Sequence, residues 1–445
     1  MEYADLPGIL EDLLREMAVE NVEVNSFLDP YNVSSITKLI RESRVIECKI
    51  RGWIAGDRLH QNSTWLPSRF SAKLVKVDNR YVMRLACGDP VVPVNIACTK
   101  GENLTIDATR IDGALTIITG KKESGKSHTV KAIIMELVAK GCIVVVFDIN
   151  GEYVGLGSDE KGNPTEIASM MDVLVPGKNF KIGLRSMGVK AMANVLEYAL
   201  NTPQNSVREF INIWEALEGA NNLNIKSLLD AVRFRHMNES VREALLSRLQ
   251  TIFGSNVISD DSGDPLEESI ADGNRGLLLV IRLDRLMSYI RRLIVEYVLT
   301  RLSILLLSNK IPPIFLVAEE AHLYLRETYW DDMVTRMRHI GVSPIIVTNQ
   351  PDSVPETIYR QADNVFLFNF TNERDLENIS KSTNVDVETV KKIVPNLPRG
   401  SALLIGRLVN DVPMVINVKR IGALTLGETK SFFKEQKRSV IGVTS

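Results

Sequence analysis

Four cysteines in 445 residues leave this chain without a disulfide framework. Cys48, Cys87, Cys98 and Cys142 lie apart with no metal-ligand spacing, and three sit in strand-like runs, which reads as buried free thiols in a reducing compartment. Charge of one sign is also missing. The net charge of −2 gives no whole-molecule attraction to a polyanion, so a nucleic-acid partner would have to meet a local basic surface. No run of about 18 uninterrupted apolar residues exists. The longest candidate, Leu293 to Leu307, is broken by Glu296 and Arg301 and is expected to be a buried helix. The opening "MEYADLPGILEDLLREM" is acidic and amphipathic, unlike a signal peptide. Internal repeats and low-complexity segments are absent. Together these absences predict a cytoplasmic, globular protein.

What is present is a long chain with 45% hydrophobic and 24% charged residues, enough for a large core and more than one domain. Helical and loop signals alternate to about residue 42. From Val45 to Ile111 short alternating segments follow. "SAKLVKVDNRYVMRLAC" predicts a hairpin turning at Asp78-Asn79, and "VVPVNIAC" and "NLTIDATRI" continue it toward a small antiparallel barrel or sandwich. "GALTIITG", "KSHTVKAIIMELVAKG" and "CIVVVFDI" then read as strand, helix and strand, the pattern of a parallel sheet covered on both faces. Helical patterns dominate 190–253, after which the strand–helix rhythm returns. "GSALLIGRLVNDVPMVINVKRI" predicts a closing hairpin. The expected organisation is an N-terminal β domain over 1–110, an α/β core over 111–189 and 254–427, a helical insertion over 190–253, and a peripheral tail over 428–445.

"GKKESGKS", Gly120 to Ser127, matches G-x-x-x-x-G-K-[ST] between an apolar strand and a helix. Glycine lets the backbone bend so that its N–H groups point inward around phosphate oxygens, and the helix N-terminus adds its dipole there. Lys126 would neutralise the β/γ-phosphates and Ser127 would ligate Mg²⁺. The loop as a whole is expected to hold ATP, through Gly120, Lys121, Lys122, Glu123, Ser124, Gly125, Lys126, Ser127 and His128. The free loop positions 121–123 carry no individual role.

"FLVAEEAHLYL" ends an apolar run with two carboxylates, and an unpartnered buried carboxylate is costly. Ligands of parallel sheets sit at the carboxyl ends of the strands, where the phosphate loop also lies. Glu319 is therefore assigned to Mg²⁺ and Glu320 to the base that polarises the attacking water. Adjacent residues on a strand face opposite ways, so both assignments require the strand to end there. Helix capping by Glu320 is the competing role. His322 would orient a carboxylate or simply pack. "VVVFDINGEY" brings Asp148 and Glu152 to the same edge, and "IIVTNQ" brings Asn349 and Gln350, with turn formation as the alternative for Asp148 and Asn349.

Taken in order, "GKKESGKS", "VFDINGEY", "LVAEEAH" and "MRHIGVSPIIVTNQPD" resemble the archaeal HerA ATPases of the HerA–FtsK superfamily of hexameric DNA translocases. The resemblance covers roughly residues 45 to 425 and is weakest over the N-terminal β segment, which would correspond to that family's HAS-barrel. It implies a RecA-like P-loop NTPase core and places Asp148 at the acidic position after the second strand. Glu319–Glu320 would be the acidic pair, and Gln350 the polar sensor. Arg338 would be a finger reaching the next subunit's phosphates, with Arg336 a rival because Met337 replaces the usual glycine. Arg110 would be a second basic contact. Asn369 stands where members often carry arginine.

The function so implied is an ATP-driven translocase or helicase on double-stranded DNA, hexameric, working in end processing with a separate nuclease. A viral or conjugative DNA pump shares these motifs. A nucleotide-regulated assembly or defence scaffold that moves nothing is the alternative of another class. No "LSGGQ"-like segment supports a transporter ATPase. The basic clusters Lys178, Lys181, Arg185, Lys190 and Arg233, Arg235 read as solvated surface.

Overall fold

The computed structural model describes residues 49–61, 75–99, 101–260, 263–270, 276–324, 336, 338–372, 375–377, 379 and 385–427. The chain divides into two compact units, one of residues 1–53 and 61–66 and one of 54–60 and 67–445. Every element named below lies in the second. Residues 1–48, 62–74 and 100 of the expected N-terminal domain, and the tail 428–445, fall outside the described residues.

Eleven strands form one sheet. In chain order they are β1 (Pro93–Thr99), β2 (Glu102–Asp107), β3 (Thr116–Thr119), β4 (Ile143–Asp148), β5 (Met171–Leu174), β6 (Leu277–Arg282), β7 (Ile314–Ala318), β8 (Val342–Thr348), β9 (Asn364–Phe368), β10 (Ser401–Gly406) and β11 (Met414–Val418). Their spatial order is β2-β1-β11-β10-β9-β3-β8-β7-β4-β6-β5. From β9 to β5 all neighbours run parallel. From β9 to β2 all run antiparallel.

The central strands are apolar throughout because both faces are covered. In β4, Ile143, Val145 and Phe147 face one core, while Val144 and Val146 face the other. Helix α2 (Lys126–Ala139) packs in the second core. The first core takes α3 (Leu184–Asn194), α4 (Gln204–Gly219), α5 (Ile225–Phe234), α6 (Glu239–Phe253) and α7 (Ser288–Leu307). Alternate burial of successive residues, repeated on β6, is what a two-sided parallel sheet requires. Helix α7 contains the apolar run that Glu296 and Arg301 interrupt. Glu296 is fully buried, and Arg301 reaches Asp264 and Glu267. No helix among the described residues is long and apolar enough to cross a membrane.

Three expectations change. The stretch read as a hairpin at Asp78-Asn79 contains helix α1 (Asn79–Cys87), with Asp78 as its N-cap accepting from the Arg80 N–H at 2.9 Å. An Asp-Asn pair is both a turn signal and a capping signal, and the packing of Met83 and Cys87, one helical turn apart, against the second core decides between them. Strands β1 and β2 are antiparallel as expected, but β1 pairs with β11, so they extend the core sheet. The described thiols Cys87, Cys98 and Cys142 are half-buried, not fully enclosed, and unbridged.

Candidate nucleotide and metal site

The loop between β3 and α2 is shaped by glycine at two places. Gly125 has φ +121°, where a side chain is strained. A Cβ on Gly120 would stand 2.3 Å from the Phe368 Cβ of β9, so only glycine admits that close approach. Neighbouring strands pin the loop. Lys121 N–H donates to Asn369 O at 3.1 Å, and Gly400 N–H donates to Ser124 O at 2.9 Å. Asn369 in turn spans the Pro395 and Leu397 carbonyls through Nδ2, at 2.7 and 3.0 Å. Its backbone carbonyl holds the phosphate loop while its side chain ties in the segment at 395–397.

Lys126 is buried, and Nζ folds onto the carbonyls of Gly120 and Lys121 at 2.7 and 2.9 Å. Burial lowers its pKa, while Glu320, Glu319 and Glu152 oppose that shift. The ammonium thus sits poised over its own loop, facing an excess of carboxylates.

Strand β7 ends at Ala318, and Glu320 adopts a left-handed conformation with φ +46°. That bend removes the strand alternation which would send the two acids to opposite faces. Glu319 is buried, and its Oε1 accepts from Ser127 Oγ at 3.1 Å. Its Oε2 accepts from the hydroxyl of Tyr153. Burial pushes the Glu319 carboxyl up to about 7, with Glu152 and Glu320 adding to the shift while the Tyr153 and Ser127 hydroxyls oppose it. Glu320 makes no side-chain capping bond to the short helix that follows. Its Oε1 accepts from Asn349 Nδ2 at 3.3 Å, and its Oε2 lies 3.3 Å from His322 Nδ1. That His322 nitrogen is also 3.3 Å from Thr348 Oγ1. Burial lowers the His322 pKa, which favours a neutral imidazole packed beside the carboxylate.

The structure brings Lys126 and Ser127, after β3, together with Glu319 and Glu320, after β7, and Asn349 joins them from the end of β8. Other candidates are placed differently. Asp148 is buried, and its two oxygens accept the Glu152 and Tyr153 N–H groups at 2.9 and 3.1 Å. It forms the turn, and the pocket is lined instead by Glu152. The Gln350 side chain accepts from Ser353 Oγ at 3.3 Å, so the amide that reaches Glu320 is Asn349. Arg338 precedes β8, at the sheet edge opposite the phosphate loop, and binds Gln361 O and the Asp363 carboxylate. It has no path to its own chain's loop. Arg110 is spent on the Arg407 and Cys87 carbonyls at 2.8 and 3.1 Å. His128 Nε2 accepts the Ile421 N–H at 3.4 Å. Sequence reasoning missed Tyr153 and Lys131. Lys131 is buried, 3.3 Å from Glu152, with Nζ 5.5 Å from the Tyr153 ring centre. The "NGEY" turn after an acidic strand end was the available signal for Tyr153.

A hard cation fits these residues. A hydroxyl and a carboxylate oxygen lie side by side at Ser127 and Glu319, which is the all-oxygen donor chemistry that Mg²⁺ takes. Oε2 of Glu320 and Oδ1 of Asn349 are buried acceptors without a hydrogen-bond donor. They suit the bound water that Mg²⁺ retains.

A mainly parallel sheet with this loop at its carboxyl edge and an acidic pair two strands away defines a RecA-like P-loop NTPase. Residues 118–302 match the family model described as "Helicase HerA, central domain". Over that stretch, which is less than half of the chain, the sequence is similar to the HerA central domain. Among curated proteins it is 24% identical over 339 residues to the DNA double-strand break repair helicase HerA of Saccharolobus solfataricus, covering 71% of this chain and 66% of that one. It is 24% identical over 341 residues to the protein of that name from Sulfolobus acidocaldarius, covering 71% and 67%. The chain thus spans about two thirds of the length of these relatives. In fold it is similar to the plasmid coupling protein TrwB in complex with ADP and Mg²⁺, with a TM-score of 0.59, 13% identity, and coverage of 79% of this chain and 94% of that one. VirB4 of Thermoanaerobacter pseudethanolicus gives a TM-score of 0.57 at 15% identity, covering 75% and 98%.

Proposed function

We propose that this chain hydrolyses ATP and uses the cycle to move double-stranded DNA. One observation carries the reading: Ser127, Lys126, Glu319 and Glu320 converge at one sheet edge, with the hydroxyl of Ser127 3.1 Å from Glu319. Lys126 would exchange its two carbonyl partners for β/γ-phosphate oxygens, a stronger charge-assisted contact. Ser127 and Glu319 would hold Mg²⁺, which when bound neutralises charge on the phosphates. Glu320, oriented by Asn349 and with His322 packed beside it, would accept the proton of the attacking water.

The relatives named as DNA double-strand break repair helicases support DNA as the substrate. Arg338 supports a shared site. Because it stands at the edge opposite its own loop, its guanidinium could serve only a neighbouring subunit, after leaving Asp363. A closed ring, hexameric by the family resemblance, would place ATP between protomers. DNA would pass through the centre, held mainly at its phosphates. In end processing such a motor would work with a separate nuclease.

The test is ATP turnover by the full chain with and without duplex DNA. Stimulation by DNA that vanishes in Glu320→Gln, with ATP binding retained, is expected. Turnover indifferent to DNA would reject the motor and favour a nucleotide-regulated scaffold.

A further inference from the structure

Arg338, the guanidinium assigned above to a neighbouring subunit's site, is held by its own chain. Nη2 donates to Gln361 O at 2.9 Å and to the Asp363 carboxylate. Among the described residues nothing engages Nε or Nη1, and 43% of the side chain is exposed.

The acceptor is the rigid half of this pair. The same Oδ2 of Asp363 accepts the Leu115 N–H at 2.8 Å, and the Asp363 N–H donates to Leu115 O at 2.9 Å. The Asp363 carbonyl accepts the Arg407 N–H at 2.9 Å. A Cβ on Gly406 would stand 1.9 Å from that carbonyl oxygen, so the end of β10 lies directly against it. Leu115 leads into β3, the strand that carries the phosphate loop. The carboxylate is thus fixed by backbone contacts that remain when the guanidinium leaves.

Two kinds of anion compete for Arg338. An ion pair this open to water is weak, and here a single nitrogen makes it. A phosphate offers two oxygens to the planar fork and a stronger, charge-assisted contact. We propose that Asp363 is a latch, which parks Arg338 on its own chain until a neighbouring subunit presents a triphosphate. The proposal rests on the shared-site reading given above and deepens it. Asp363 is a positioning residue that acts through Arg338, and it sets the fraction of subunits whose guanidinium is free to cross the interface.

Steady-state ATP turnover of the full chain without DNA tests this in wild type, Asp363→Asn, Arg338→Ala and the double variant. Asparagine keeps an oxygen for the Leu115 N–H and loses the charge that holds the guanidinium. Asp363→Asn should raise turnover about two- to fivefold, the range set by an exposed ion pair. Asp363→Ser, which also lacks the charge, should behave alike. Affinity for a non-hydrolysable ATP analogue, measured by calorimetry, should stay within about twofold in both, because the latch acts on the neighbour's site. The double variant should be as inactive as Arg338→Ala. A merely structural Asp363 would loosen Leu115 and the loop beyond it, so analogue affinity and turnover would fall together. That result, unchanged turnover in both Asp363 variants, or extra turnover surviving in the double variant would each overturn the latch. Absent turnover in wild type, or undiminished turnover in Arg338→Ala, would remove the shared-site reading itself, and the latch with it.

Discussion

The hydroxyl of Ser127 lies 3.1 Å from Oε1 of Glu319, across 192 positions of sequence. Three parallel strands, β3, β8 and β7, make that meeting possible by ending at one edge. The buried carboxylate is held from its other side by Tyr153.

Glu319 gives the nucleotide-free protein a pH-dependent weakness. Its folded pKa of about 7 exceeds the ordinary 4.5 because of burial, so the folded state binds the proton more tightly. Stability from this group is complete below about pH 4.5 and is lost as pH rises through about 7. Glu319→Gln cannot ionise. Its stability relative to wild type should improve between pH 5 and pH 8, by about 1–3 kcal/mol. Thermal denaturation without nucleotide at both pH values measures it, and a gap that does not change with pH counts against the assignment.

Glu320→Gln keeps shape and loses basicity. ATP affinity should stay within about threefold while turnover falls about 10²–10⁴-fold. Equal losses in binding and turnover would move Glu320 from the chemistry to the binding of nucleotide.

Tyr153→Phe removes the hydroxyl from Glu319 Oε2 and leaves a buried acceptor unpaired, a loss of about 1–3 kcal/mol in stability. The Mg²⁺ concentration giving half-maximal nucleotide binding should rise several-fold, while metal-free nucleotide affinity is kept. A variant that is less stable but unchanged in its Mg²⁺ requirement would make Tyr153 a packing residue only.

Arg338→Ala and Lys126→Ala should each abolish turnover alone. Mixed before assembly, they should recover part of it, because some interfaces would combine an intact loop with an intact guanidinium. No recovery on mixing would exclude Arg338 as a group acting between subunits. Glycine at 125 can be probed in the same assay. Gly125→Ala, forced to φ +121°, should lose nucleotide binding and about 1–3 kcal/mol of stability.

Much of the core was legible because its physics is local. The unbroken apolar runs at 143–148 and 314–318 require burial on both faces, and the structure provides it. The loop from Gly120 to Ser127 was readable because phosphate binding at a helix N-terminus fixes residue types at fixed spacing. Helix α1 was misread because Asp78-Asn79 satisfies two local rules at once, and only the packing of Met83 and Cys87 against the second core separates them. The choice between Asn349 and Gln350 was equally closed to the sequence. Neighbouring amides at a strand end differ by which way the chain turns, and the turn is set by the contact of Gln350 with Ser353.

The sequence alone determined the class of chemistry, since a glycine-bearing loop before a helix and paired acids after an apolar strand each state their own requirement. Tertiary structure decided which atoms meet. Asp148 turned out to be a brace for Glu152 and Tyr153, and Leu426 came to line the same cavity as Lys126 from the far end of the sequence. The physical reason is that a hydrogen bond or a cavity wall depends on distances across the sheet. Those distances follow from strand order and backbone bends that no short stretch of residues encodes.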